Sequence, residues 1–162
     1  MFQTILVETK IMERHKALHS LSHDHHHGLI LAQLIKKGSP EYPYLPKTLG
    51  GKIEYAISFY NDELVRHFKD EENILFPIVK SRDDKVDDLI NVILNEHKKI
   101  KALVSSLKKD QDSEDVLDDL GNLLESHIRK EERELFPLIQ NLLNDEELIH
   151  LENKLQNFES NK

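Results

Sequence analysis

The chain has 162 residues, enough for one ordinary domain with a single core, and its 22 Lys and Arg against 30 Asp and Glu leave a net charge of −8 with the histidines neutral. That balance disfavours nucleic acid or an anionic membrane surface as a partner, and no apolar run approaches the ~18–20 residues of a membrane-spanning helix. Cysteine is absent, which excludes disulfides, thiolate metal sites, iron–sulfur ligation and a cysteine nucleophile, so demanding chemistry must rest on nitrogen and oxygen donors. No basic segment leading into an apolar one opens the chain, and the expected compartment is the cytoplasm. Ten histidines beside four tyrosines and no tryptophan are the one compositional oddity.

Residues 1 to about 20 have no clear period, and Phe2, Ile5, Leu6, Ile11, Met12, Leu18 and Leu21 are expected to pack on the body as an N-terminal arm. Ser22 is the expected N-cap of a first helix, with Asp24 in its first turn and Gly38-Ser39-Pro40 at its end. A proline-rich loop follows to Pro46, and a second helix starts near Lys47 or Thr48 with a stripe of Ile53, Ile57, Tyr60, Leu64, His67, Glu71 and Leu75. Pro77 removes an amide donor and is expected to kink or end that helix. A third helix covers about 83–109. Ser113 caps a fourth, whose stripe is Val116, Leu120, Leu123, Leu124, His127, Glu131 and Leu135, and Asn144-Asp145-Glu146-Glu147 caps a short fifth. Nothing reads as a strand. The pattern predicts an all-α, antiparallel up-down four-helix bundle with a short C-terminal helix, one domain over 1–162 with its core bundle at about 20–140. Such bundles commonly place metal sites between facing helices.

The stretch His67-Phe68-Lys69-Asp70-Glu71-Glu72-Asn73-Ile74-Leu75-Phe76-Pro77 returns as His127-Ile128-Arg129-Lys130-Glu131-Glu132-Arg133-Glu134-Leu135-Phe136-Pro137, at a constant offset of 60 residues. In each copy the histidine and the first glutamate lie four residues apart, which places them on one face of a helix, one turn apart, where both can bind one metal centre. The third helix offers His97, followed by apolar Ile100, Leu103, Val104 and Leu107 at +3, +6, +7 and +10. The same template ranks the candidates of the first helix. His25 is followed by Leu29, Leu31, Ala32 and Ile35, whereas His26 and His27 meet Gln33 with Lys36 or Lys37 at core positions. The candidate metal ligands are therefore His25, His67, Glu71, His97, His127 and Glu131. Four imidazoles and two carboxylates suit iron best, with manganese or zinc possible, and two buried carboxylates need cationic partners.

These residues resemble a hemerythrin-like domain of the HHE cation-binding family. Its signature is a histidine, a histidine-x-x-x-glutamate, a histidine and a second histidine-x-x-x-glutamate on four successive helices, and the match spans about residues 20–140. The opening from Arg14 through Leu29 also resembles small stand-alone bacterial members. The resemblance implies two iron ions joined by an oxo or hydroxo group and bridged by Glu71 and Glu131. It also marks a departure. Oxygen-carrying hemerythrins have a second histidine four residues after that of the third helix, where this chain has Lys101, and an aspartate five residues after the last histidine, where it has Glu132. One metal thus gains an open position, and reaction with oxygen, peroxide or nitric oxide, or iron sensing, stands beside reversible oxygen storage.

Glu72, Glu96 and Glu132 adjoin the ligands and are expected at the solvent or behind the imidazoles, with Glu96 read as a surface residue. His15, His19 and His23, spaced four apart, are expected as loop or surface residues, with an accessory metal site on one helix face as the alternative. Tyr55, Phe59, Tyr60, Phe68, Phe76 and Phe136 are expected in the core. The expected function is a non-haem di-iron protein that binds or senses O₂, NO or iron. The alternative is an enzyme reducing peroxide or nitric oxide. Iron donation to damaged iron–sulfur centres is credited to longer relatives with an N-terminal cysteine-containing segment, and this sequence has no cysteine.

Overall fold

The computed structural model describes residues 13–159, and in them five helices and no strand. The expected packing of Phe2, Ile5, Leu6, Ile11 and Met12 lies outside those residues. Helix α1 is His19–Ile35, α2 spans 49–79, α3 is Asp84–Lys109, α4 spans 114–142 and α5 is Asp145–Glu159. No helix among the described residues is long and apolar enough to cross a membrane.

Side-chain caps set most of the helix starts. Thr48 Oγ1 accepts from the Gly51 amide at 3.1 Å, Asp83 Oδ1 from Val86 at 3.0 Å and Ser113 Oγ from Val116 at 3.2 Å. Asn144 and Glu147 cap α5 reciprocally, each side chain accepting from the other's amide at 2.9 Å. The first helix departs from expectation. It begins at His19, three residues before Ser22, on a 3₁₀ turn over Lys16–Leu18 in which His15 Nδ1 accepts from the Ala17 amide. Ser22 is thereby free to donate from its hydroxyl across to α4.

Neither proline stops its helix. Before Pro77 the helix widens to a π-turn over Glu71–Leu75, and before Pro137 to one over Glu131–Leu135; a third covers Tyr60–Leu64. The Phe76 and Phe136 amides reach back to the carbonyls of Glu71 and Glu131. Each π-turn inserts one residue and so rotates everything after it by about 100°. Ladder bonds are already rearranged where the proline lacks its donor, and the chain continues helical to Val79 and to Leu142. The rotation also carries Phe76 and Phe136 onto the buried face.

Two apolar clusters hold the bundle. One joins the N-terminal parts of α1 and α3 to the C-terminal parts of α2 and α4 through Leu21, Leu75, Ile90, Ile93, Leu135 and Phe136, and α5 closes it with Leu148, Leu151 and Leu155. The other joins the opposite ends through Leu34, Ile53, Phe68, Ile100, Val104 and Leu120. In α4 the apolar face runs through Leu117 and Ile128, while Val116 and Leu123, expected on the stripe, are only half-buried. α1 and α4 pack closely at Gly121, where a Cβ would lie 2.9 Å from the Ala32 carbonyl oxygen. Between the two clusters lies a layer of buried polar side chains.

Candidate metal centre

All six predicted ligands are in that layer. His25 is 3 % exposed, His67 2 %, His97 4 %, His127 1 %, and Glu71 and Glu131 are fully buried. Their donor atoms form two adjacent groups that share both glutamates: His25, His67, Glu71 and Glu131 in one, and His97, His127, Glu71 and Glu131 in the other, with the atoms of each within 4.8 Å of one another. Glu71 spans the two. Its Oε1 is 3.2 Å from His67 Nε2 and its Oε2 is 3.2 Å from His97 Nε2. Glu131 Oε2 lies 2.9 Å from His25 Nε2 and 3.6 Å from His127 Nε2. His26 and His27, the rejected alternatives, are exposed.

Each imidazole is held from behind by a carboxylate, and each carboxylate comes from the preceding helix. Asp24 of α1 accepts from His67 Nδ1 on α2 at 3.1 Å; Glu72 of α2 accepts from His97 Nδ1 on α3 at 2.7 Å; Glu96 of α3 accepts from His127 Nδ1 on α4 at 2.9 Å; and Glu132 of α4 accepts from His25 Nδ1 on α1 at 2.6 Å. The ring closes. Carboxylates only accept, so the tautomer follows: Nδ1 carries the proton and Nε2 turns its lone pair inward.

Three of the four outer carboxylates are themselves tied. Arg66 donates to Asp24 at 2.9 Å, Lys130 pairs with Glu96, and Glu132 takes Arg14 at 2.9 Å and the Ser22 hydroxyl at 2.7 Å. Arg14 also donates to the Glu132 carbonyl and lies over the Phe136 ring. Glu96, expected at the surface, is therefore a buried orienting group. Asp24 and Arg14 were given no role behind the imidazoles by the sequence. The available signal was the acid next to four of the six candidate ligands: Asp24-His25, Glu71-Glu72, Glu96-His97 and Glu131-Glu132.

Aromatic rings pack on the imidazoles. Phe68 stacks on His97 with centroids 3.8 Å apart, Phe136 on His25 at 5.4 Å and Phe76 on His97 at 6.5 Å. Lys101 is exposed and outside the cluster. The spaced histidines near the N-terminus do not converge: His15 caps its 3₁₀ turn, and His19 Nε2 bonds the Arg14 carbonyl.

The inward atoms have nothing to bond to. Both oxygens of Glu71, both of Glu131 and Nε2 of His97 and His127 are buried without a hydrogen-bond partner, while Nε2 of His25 and of His67 face each other at 3.0 Å. Lone pairs of nitrogen and oxygen converge where no group from outside the cluster donates to them, an arrangement that costs free energy unless protons or metal cations lie among them. Protons alone are a partial answer. Burial opposes charge on His67, but Glu71 and Asp24 outweigh it and hold its pKa well above the ordinary imidazole value; burial likewise yields to Glu131 and Glu132 at His25 and to Glu71 at His97, both raised. Glu71, despite burial, is held well below the ordinary carboxylate range by His67 and His97, and Glu132 is lowered to about 2 by His25, Ser22 and Arg14 against the effect of burial. The buried His and Glu groups can hold metal, and the donor set fits it.

Compared with known protein families, residues 9–139 match the Hemerythrin HHE cation binding domain. No curated protein and no solved structure matches the chain.

Proposed function

The chain belongs to the hemerythrin family of HHE cation-binding domains, and from that premise we propose that it binds two iron ions and uses them to bind a small diatomic ligand, O₂ or NO. His25 and His67 would hold one ion, His97 and His127 the other, with Glu71 and Glu131 shared between them. The observation that carries this reading is the inward set of buried acceptors without donors, split into two groups that have both glutamates in common. The meeting of the N-terminal parts of α1 and α3 with the C-terminal parts of α2 and α4 supports an antiparallel up-down order of four helices around the site. When bound, the iron pair would supply two electrons and an open coordination position.

The protein's own part is to fix the tautomers through the carboxylate ring, to keep water from the paired imidazoles by the stacked phenylalanines, and to offset the metal charge with Glu71 and Glu131. Oxygen chemistry needs a bleachable chromophore, so the test is metal analysis with absorption spectra in air, after anaerobic reduction and after re-exposure. Two irons per chain, with near-ultraviolet bands that vanish on reduction and return in air, is the expected result. One zinc or no metal would sink the reading.

A further inference from the structure

Between α2 and α3 a groove of about 350 Å³ descends to the metal-facing layer. Of the six cluster residues only His97 lines it, flanked by Phe68, Glu72 and Tyr60, and its rim carries Lys69, Lys98 and Lys101. All three lysines are exposed, and among the described residues none has a carboxylate partner. This is unlike Arg14, Lys36, Arg66 and Lys130, which are paired. The one acid in the groove, Glu72, already accepts from His97 Nδ1. A chain of net charge −8 thus presents, at a flank where an imidazole of the cluster meets a recess, a mouth with three cations against one engaged carboxylate.

We infer that this groove is an entry vestibule for small inorganic anions, which Lys69, Lys98 and Lys101 draw toward the His97 side of the metal centre. The inference rests on the di-iron reading and adds a ligand class to it. A low-dielectric cleft lined by one sign of charge concentrates counter-ions and raises their association rate, an effect that salt screens. Neutral diatomic ligands gain nothing from it. Lys101 stands where oxygen carriers of the family have a histidine, so this position would serve anion capture in place of metal ligation.

The test uses azide as the anionic probe and nitric oxide as the neutral one, with association followed by stopped-flow absorption on the metal-loaded full chain. The variant is Lys69→Gln/Lys98→Gln/Lys101→Gln, with Lys→Arg at the same positions as the conservative control, and metal content is measured on each sample. The expected result is azide association slowed about tenfold at low salt, with most of its salt dependence lost, nitric oxide association and metal content unchanged, and the arginine variant close to the parent. Equal azide rates in parent and Gln variant, both metal-loaded, would overturn the vestibule and leave the di-iron reading standing. Equal slowing of azide and nitric oxide would also overturn it, since distortion and not charge would be responsible. A parent chain without metal would remove both.

Discussion

The two halves of the candidate centre share their glutamates and differ in how they are enclosed. On the His25 and His67 side both outer carboxylates are anchored by arginine, Asp24 by Arg66 and Glu132 by Arg14, and the two Nε2 atoms face each other at 3.0 Å. On the His97 and His127 side Glu96 is anchored by Lys130, but the Glu72 side chain is 42 % exposed and opens on the α2/α3 groove. Identical donor types therefore sit in one closed and one open half. Donor identity decides whether metal can bind, and the outer ties decide from which side anything else can reach it.

The most damaging change to the comparison is one that removes what the halves share. Glu131→Ala is expected to bring metal content, read by atomic emission, to well under one ion per chain, because it strips a donor from both groups at once. A variant that keeps the parental content would show that the glutamates are not common to two sites. Acid comes next. In the metal-free protein the imidazoles of His25, His67 and His97 are raised above the ordinary value of 6.5, so their pairing with the glutamates stabilises the metal-free fold below that value and fades as pH rises through the raised values. Metal must displace those protons, so its affinity falls as pH drops, by about tenfold per unit for each proton displaced. The gap in Tm between metal-loaded and metal-free protein should widen from about pH 6 to pH 8; a constant gap would mean that the imidazoles bind no metal. The smallest effect sharpens the difference between the halves. Glu132→Gln should weaken metal binding about 10- to 100-fold in a chelator competition, and Glu72→Gln only a few-fold, because the tied carboxylate holds its imidazole more rigidly. Equal losses would erase the distinction between closed and open.

Much of this was legible in the sequence, for a physical reason. His67 with Glu71 and His127 with Glu131 lie within single helical turns, and His25 and His97 sit on apolar faces of period 3.6, so the six residues meet once the helices pack. The caps at Thr48, Asp83, Ser113 and Asn144 are equally local. The rest depends on contacts between helices. The bond from Glu96 to His127 and that from Asp24 to His67 cross between elements, and no spacing in one helix encodes them. The start of α1 was misplaced because a 3₁₀ turn capped by His15 precedes Ser22. Pro77 is expected from the sequence to kink or end a helix that passes through it to Val79, because the π-turn that accommodates it, like the one before Pro137, leaves no mark in the apolar period except a phase shift.

Exchanging α1 with α3 and α2 with α4 leaves the carboxylate ring unchanged. Asp24 on His67 becomes Glu96 on His127, Glu72 on His97 becomes Glu132 on His25, and Phe76 against His97 becomes Phe136 against His25. Each two-helix hairpin therefore makes one imidazole–carboxylate bond within itself and gives one to the other hairpin. A single hairpin of this type, paired with a copy of itself about a two-fold axis, would already contain every bond of the ring.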